Sequence, residues 1–449
     1  MTNKIAALSL LTLGLLSACS NTAPTADVPS TPPPAATPVA QERFVQVAMV
    51  PLQAGDTPQS LAAAVGGAVL SWAEDGCSSG DEINCMAIMG LKSQADGQPL
   101  RAQSDRTMYI EPNKDVFGGG GKMTATMGGR ISMWAGGRIS MWAGGRISMW
   151  AGGQFTQLPE NTKLWQKIRL EEAQHMAPKL GAGVTVAVID TGLDLQHPAF
   201  SNSLSAPSTW YDFYDGDTMP QDEGTFGVGG YGHGSNVAGI VLQVAPGAKI
   251  MPLRVLGSDG SGDVIMVARA ILWAADHGAN VINLSLGSSE NSKIVQDAIK
   301  KVTRSRVLVV SSAGNSNLNK ITYPAADATA KDSGDYSLSV GSVDLNDVKS
   351  SFSNYSDKLK LVAPGENVYA PAPDGRMAAW SGTSMAAPMA SGGLALALGQ
   401  QLASGELIEE MTENAADIYK ISANNPYKDK LGEKGRLDLV RFLDSASDD

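Results

Sequence analysis

An α/β fold is predicted for residues 161–449: a mostly parallel central sheet with helices on both faces, preceded by a small α+β domain. Three observations predict it. Near-continuous apolar runs at Val184–Ile189, Lys249–Leu256, Ala279–Leu286, Arg306–Ser312 and Leu359–Ala363 read as strands buried on both faces, because a half-exposed strand would alternate. Helical stretches, notably Asp263–His277 and Ser292–Arg304, lie between them, and strands alternating with helices build a parallel sheet. At 449 residues the chain is long enough to bury a large core beside a second domain. Catalytic groups on such sheets gather outside the carboxyl ends of the strands.

Residues 1–19 lie outside that fold. Lys4 gives a short positive start, and the apolar run Ile5–Leu16 is too short for a permanent membrane-spanning helix. It ends in Leu16-Ser17-Ala18-Cys19, which resembles the lipobox of bacterial lipoproteins, where the Cys is acylated. Cys19 is therefore the expected lipidation site and membrane anchor of an exported chain; the alternative is a plain signal peptide with an incidental Cys. Residues 20–42, rich in Pro, Thr and Ala, cannot bury a core and read as an extended tether.

The pattern changes at residue 43. Phe44, Val45, Val47 and Met49 suggest a strand, Pro58–Val65 a short helix opening after Thr57, and Ala68-Val69-Leu70 a second strand beyond the Gly66-Gly67 break. These place a small strand–helix–strand domain over 43–117. Cys77 and Cys85 stand close together in a polar stretch without nearby His, so a small disulfide loop is expected rather than a metal site. Residues 118–160 form a Gly-rich linker in which Gly128–Ala135 (Gly-Gly-Arg-Ile-Ser-Met-Trp-Ala) recurs identically at 136–143 and 144–151. The Gly pairs suit turns and Ile-x-Met alternates like a short strand. A flexible connector is the preferred reading, with a small β-layer packed on a neighbour as the rival.

The formal net charge of −11 excludes a general nucleic-acid binder, since no basic stripe is available to neutralise phosphates. The chemistry-bearing residues fall at element ends instead. Asp190 closes the first apolar strand in Val188-Ile189-Asp190-Thr191-Gly192, where a carboxylate needs a partner. His233 lies between glycines in Gly232-His233-Gly234, and Ser384 opens a helix of small residues in Gly382-Thr383-Ser384-Met385-Ala386-Ala387-Pro388. Acyl transfer requires a nucleophile, a base for its proton and a carboxylate to orient the base. Taken singly, each residue has a bland role as loop cap, packed histidine or helix cap; the combination points to catalysis.

These motifs, with Ser285-Leu286-Gly287 and Ala313-Gly314-Asn315, resemble the subtilisin-like serine proteases, or subtilases, over roughly residues 161–443. The resemblance implies a subtilisin-like fold and a serine endopeptidase acting on proteins or peptides without a catalytic cofactor. It implies that Asp190 orients His233, that His233 is general base then acid, and that Ser384 attacks the scissile carbonyl. Asn315 would supply an oxyanion-hole side chain, while Ser285, Leu286, Gly287, Ala313 and Gly314 would flank the substrate as a paired strand. Residues 43–117 would be a propeptide, the chain's own partner as folding aid and temporary inhibitor, with cleavage between 116 and 165. Asp212, Asp215, Asp217 and Asp222 form an acidic loop of the kind that holds calcium in several subtilases, so a structural calcium is expected there, with a solvated acidic loop as the alternative. The sequence departs from the family pattern at Ser235-Asn236 after Gly234 and at Met389 after Pro388, where Thr-His and His are frequent.

Two other readings are weaker. Asp190-Thr191-Gly192 with Asp332-Ser333-Gly334 suggests an aspartic-protease dyad, but Ala330-Lys331 breaks the second motif and Ser384 and His233 go unexplained. A silent lipoprotein that binds peptides in an old protease groove would not be expected to keep the whole triad and Asn315.

Overall fold

A computed structural model describes residues 44–73, 77, 85–92, 108–113, 115–118, 159–225, 228–331 and 333–448; Cys19, the tether, the three repeats and Asp332 lie outside them. The N-terminal elements are β1 (Gln46–Pro51), α1 (Pro58–Val65), β2 (Ala68–Ala73), β3 (Met86–Leu91) and β4 (Tyr109–Pro112). The strands form an antiparallel sheet in the order β2-β3-β1-β4. The expected strand–helix–strand is present, and β3 and β4 complete it. The helix starts where its residues dictate: Thr57 and Ser60 cap each other reciprocally, Pro58 fits the first turn, and Gly66 ends the helix at φ 79°. A disulfide joins Cys77 and Cys85 across the β2–β3 connection, as the sequence predicts.

Both faces of β1 are buried, for different reasons. Ala48 and Val50 join Leu61 and Val65 of α1 in a small core of their own. Val47 and Met49 point the other way, as the two-residue strand period requires, into a core shared with the large domain. One further strand, β5 (Asp115–Gly118), leaves this sheet altogether.

The large domain opens with α2 (Thr162–Lys167), α3 (Leu170–Met176), β6 (Thr185–Asp190), β7 (Tyr211–Asp212), α4 (His233–Val244), β8 (Lys249–Arg254), β9 (Ser261–Asp263) and α5 (Val264–Asp276). It continues with β10 (Val281–Leu284), β11 (Leu286–Gly287), α6 (Lys293–Arg304), β12 (Leu308–Ser312), β13 (Ser337–Val343), β14 (Leu361–Pro364), β15 (Val368–Ala372) and β16 (Arg376–Trp380). It closes with α7 (Thr383–Gly399), α8 (Leu407–Glu413), β17 (Ala416–Asp417), β18 (Gly435–Arg436) and α9 (Leu439–Asp448). The nine-stranded sheet runs β17-β18-β14-β13-β12-β10-β6-β8-β7, parallel from β18 to β7 with β17 antiparallel at one edge.

The predicted two-sided burial is what the strands show. Val186 and Val188 of β6 face the core built with α4 and α7, whereas Ala187 and Ile189 face α5 and α6. That is why the run reads as continuously apolar. From β6 the chain passes to β7 and β8 on one side, then to β10 on the other. The strand order therefore reverses between β6 and β10, and the crevice beyond their carboxyl ends is where such sheets place ligands. Asp190 ends β6, and Ser285 follows β10.

Candidate active site

Asp190 and His233 meet in that crevice, and they and Ser384 are almost wholly buried, at 0%, 4% and 1% exposure. Each comes from a different element end: Asp190 closes β6, His233 opens α4, and Ser384 is the second residue of α7. His233 Nδ1 lies 2.7 Å from Asp190 Oδ1. A carboxylate accepts only, so Nδ1 carries the proton and Nε2 is left with its lone pair as a proton acceptor. Thr191 N–H donates to the same Oδ1 at 2.8 Å. Burial pulls the imidazole pKa down, but the Asp190 charge, its hydrogen bond and the Asp222 charge together outweigh it, so His233 is held above its ordinary value.

The Ser384 hydroxyl rests on the Ser285 carbonyl at 3.3 Å, while Ser285 Oγ donates to the Ser384 carbonyl at 2.9 Å. Apo hydroxyls in catalytic sites are commonly off the productive bond. Behind it a chain of polar groups fixes the floor: Asn283 Nδ2 donates to Ser285 Oγ at 2.9 Å, and Ser391 Oγ donates to Asn283 Oδ1 at 2.8 Å. These bonds tie α7 to the end of β10, so Ser384 and Ser285 move as one piece.

Asn315 stands on the far side. Its Oδ1 accepts from Thr383 N at 2.8 Å and Thr383 Oγ1 at 3.0 Å. With the oxygen engaged, the amide Nδ2 is oriented by elimination as the free donor. The loop carrying it is held by Asn354, whose Oδ1 accepts from Ser316 N and Leu318 N, each at 3.0 Å, and whose Nδ2 donates to the Ala313 carbonyl at 3.1 Å. Gly314 takes φ 97°, and a Cβ there would sit 2.6 Å from Asn354 Nδ2, so only glycine fits. Residues 285–287 and 313–315, picked out together in the sequence, thus border one crevice.

Sequence reasoning missed three contributors. Thr383, read only as part of a motif, orients Asn315. Trp380 at the end of β16 packs against His233 in a T-shaped contact, ring centroids 5.5 Å apart at 78°; no local signal marked it. The third, Asp222, was read only as part of the acidic loop; it bonds Gly232 N and Ser235 Oγ on either side of His233.

The acidic loop divides into two parts. Asp212 and Asp215 converge on Arg254 Nη1 at 2.9 and 2.6 Å, joined by Glu223 at 3.4 Å. Burial pushes the Asp212 carboxyl up to about 6, with Arg254 opposing. Asp217 accepts from Met219 N at 2.8 Å. Asp222 turns away to the start of α4, and burial pushes its carboxyl up to about 7. Among the described residues no group of three or more His, Cys, Asp or Glu is arranged to hold a metal ion. Asp212, Asp215 and Asp217 line one cavity with Gln221 and Glu223, whereas Asp222 is bonded to the start of α4 and does not line it.

What the crevice can do follows from its parts. Its parts are an imidazole whose tautomer is fixed, a hydroxyl at the start of α7, and an amide nitrogen of Asn315 that stands with Ser384 N around Gly382, 3.3 and 3.7 Å from where a Cβ there would sit. Two strand edges, β9 and β11, flank the approach, and β5 lies between them: Phe117 pairs with Ser261 and Gly287, and Gly118 with Leu286. An extended chain is thus already seated in the groove.

Comparison with known proteins agrees with the fold. Residues 181–439 match the family model described as "Subtilase family". The chain is 37% identical over 288 residues to Thermitase of Thermoactinomyces vulgaris, covering 62% of this chain and 94% of that protein. It is 39% identical over 233 residues to Subtilisin Savinase of Lederbergia lenta, covering 50% of this chain and 79% of that one. It is likewise 39% identical over 233 residues to an Alkaline protease of Shouchella clausii, covering 50% and 56%.

Proposed function

The chain belongs to the subtilase family and is a serine-type endopeptidase, and from that premise we propose that it is an exported, self-processing precursor whose chemistry is carried by Asp190, His233, Ser384 and Asn315. The 2.7 Å bond from His233 to a wholly buried Asp190 carries this assignment. His233 Nε2 takes the Ser384 proton as Oγ bonds to the scissile carbonyl carbon, whose π electrons pass to oxygen. Asn315 Nδ2 and the Ser384 N–H stabilise that oxyanion. The imidazolium returns its proton to the leaving amine as the C–N bond breaks. Water then repeats the sequence on the acyl-enzyme, its proton passing through His233 to Ser384 Oγ. Proton transfer, nucleophile and oxyanion stabilisation all come from side chains and backbone, and subtilases need no catalytic cofactor.

A serine-directed covalent inhibitor tests the assignment: one adduct per chain is expected by intact mass, mapping to the peptide that contains Ser384. Casein hydrolysis that survives full modification, or an adduct elsewhere, would refute it.

Residues 43–117 read as the propeptide. Strand addition is how extended peptides enter such grooves, and β5 does this between β9 and β11. Glu111 anchors the same segment: its carboxylate accepts from Ser292 Oγ at 2.6 Å, Lys293 N at 3.0 Å and Ile294 N at 3.4 Å, at the start of α6. A buried anion on a helix N-terminus is favourable. In an uncleavable Ser384→Ala precursor, Glu111→Ala should lower stability by about 2 kcal/mol, typical of a charge-assisted cap, read from the denaturant midpoint; an unchanged midpoint would remove Glu111 from the docking.

The register also narrows the junction. Gly118 faces Leu286, and the next position along β11's strand is Ser285, whose carbonyl touches Ser384 Oγ. Processing should therefore cut in the glycine run just after Gly118, ahead of the repeats, and intact mass of the mature chain should show a new N-terminus there. A start beyond residue 151 would contradict the register. Cys19, acylated after export, would then stay with the propeptide, while the 128–151 repeats would lead the mature enzyme as a connector.

A further inference from the structure

We infer that Asp222 is a positioning residue for His233: its buried carboxylate clamps the first turn of α4 and supports the imidazolium formed when His233 takes the Ser384 proton. This rests on His233 being the base proposed above.

Helix α4 begins at the catalytic residue itself, and its cap, Gly232 at φ 92°, has no side chain to receive the free N–H groups of the first turn. Asp222 reaches back from the preceding loop to do so. Its Oδ1 accepts from Gly232 N at 3.1 Å, and its Oδ2 accepts from Ser235 Oγ at 2.9 Å and Ser235 N at 3.4 Å. One carboxylate thus holds the chain on both sides of His233.

The same knot reaches the chain beyond Asp190. Asp194 N donates to Ser235 Oγ at 2.9 Å, Asp222 N donates to the Leu193 carbonyl at 2.9 Å, and Gly234 N donates to Thr191 Oγ1 at 2.9 Å. The approach is tight: a Cβ on Gly234 would stand 2.1 Å from the Gly192 carbonyl oxygen. The departure from the family pattern at Ser235 falls inside this network, where its hydroxyl is at once donor to Asp222 and acceptor from Asp194.

A helix cap alone does not explain the charge. Ser, Thr or Asn supplies the needed oxygen without burying an ion, yet Asp222 is only 2% exposed and its bonded partners are neutral. Burying such a group beside Asp190 is costly. At rest the three hydrogen bonds from Gly232 N, Ser235 Oγ and Ser235 N favour its charged form against burial and Asp190, and the positive charge that forms on His233 during catalysis favours it further. Around Asp222 stand Asp190 at the end of β6, His233 on α4, Tyr231 just before it and Asp194 after β6, while Arg376 and Asp374 of the β15–β16 hairpin border Tyr231. Asp222 and Asp190 both push His233 toward its charged form.

Asp222→Asn keeps the shape and one acceptor oxygen and removes the charge. Per active site titrated with a serine-directed inhibitor, kcat should fall about 10- to 100-fold, the scale of a displaced catalytic group, with KM little changed. The acidic limb of kcat/KM should move to lower pH, because the imidazolium loses support, and the His233 ring should titrate in step by NMR, a tractable assignment with four histidines in the chain. Asp222→Glu, which keeps the charge but displaces it, should lower kcat and leave the limb in place; it also serves if the Asn variant does not fold. Wild-type kcat and limb in Asp222→Asn, whatever its thermal stability, would reduce Asp222 to a structural cap, as would full kcat in Asp222→Glu. An inert wild type would instead sink the role of His233 itself.

Discussion

Replacing Ser384 with Ala should lower kcat by about a million-fold, the size of the loss measured when a subtilisin, a relative of this chain, loses its nucleophile. The physical reason is that the remaining groups have nothing to activate. The His233 lone pair and the Asn315 donor stay where they are, because neither depends on Ser384 Oγ for its place: Asp190 orients the first and Thr383 the second. The Ser384 carbonyl keeps its bond from Ser285 Oγ, so the floor of the crevice should not shift. The variant should therefore fold, remain full length by intact mass, and leave casein uncut, while wild type shortens itself and digests casein. If the variant still processes itself, the nucleophile lies elsewhere; if both proteins are inert and intact, the groove is a binding site and the peptide-binding reading replaces the enzymatic one.

Asn315→Ala carries the second largest effect, about 100- to 1,000-fold in kcat with KM nearly unchanged. That magnitude is the one measured for the equivalent kind of donor in a subtilisin. The split between kcat and KM is the informative part. The amide nitrogen is aimed at charge that exists only in the tetrahedral intermediate, so the ground-state peptide loses little when it goes. A loss mainly in KM would mean that Asn315 binds substrate rather than oxyanion. The substitution also frees Thr383 N and Oγ1 from their shared acceptor, so activity should be expressed per titratable Ser384.

Much of this was legible in the residues themselves. Two-sided apolar runs predicted buried parallel strands, and the residues that close or follow those runs are the ones the sheet brings to its carboxyl edge. Thr57, Pro58 and Gly66 marked both ends of α1, because helix termini are settled by local backbone chemistry. The spacing of Cys77 and Cys85 in a stretch without histidine anticipated their disulfide.

The acidic loop shows where such reading stops. Asp212, Asp215, Asp217 and Asp222 look alike in sequence, four like charges within eleven residues, and their fates differ. Arg254 arrives on β8 to meet two of them, Asp217 closes a turn, and Asp222 folds under α4. Which cation or helix end faces a carboxylate depends on strand order and loop path, and neither leaves a periodic trace along the chain. The placement of β5 is similar: four residues of unremarkable composition become a groove-filling strand only because β9 and β11 present free edges on either side.

The sequence by itself determined the fold class, five strands of the central sheet (β6, β8, β10, β12 and β14, but not β13 between the last two) and the identity of the triad candidates, since hydrophobic period, turn residues and short motifs are local properties that survive any packing. Only the tertiary structure decided which charges pair, which polar groups orient Asn315 and His233, and what occupies the groove. Those are contacts between elements far apart in the chain, and their energies depend on distance, burial and the donors at hand rather than on neighbours in sequence.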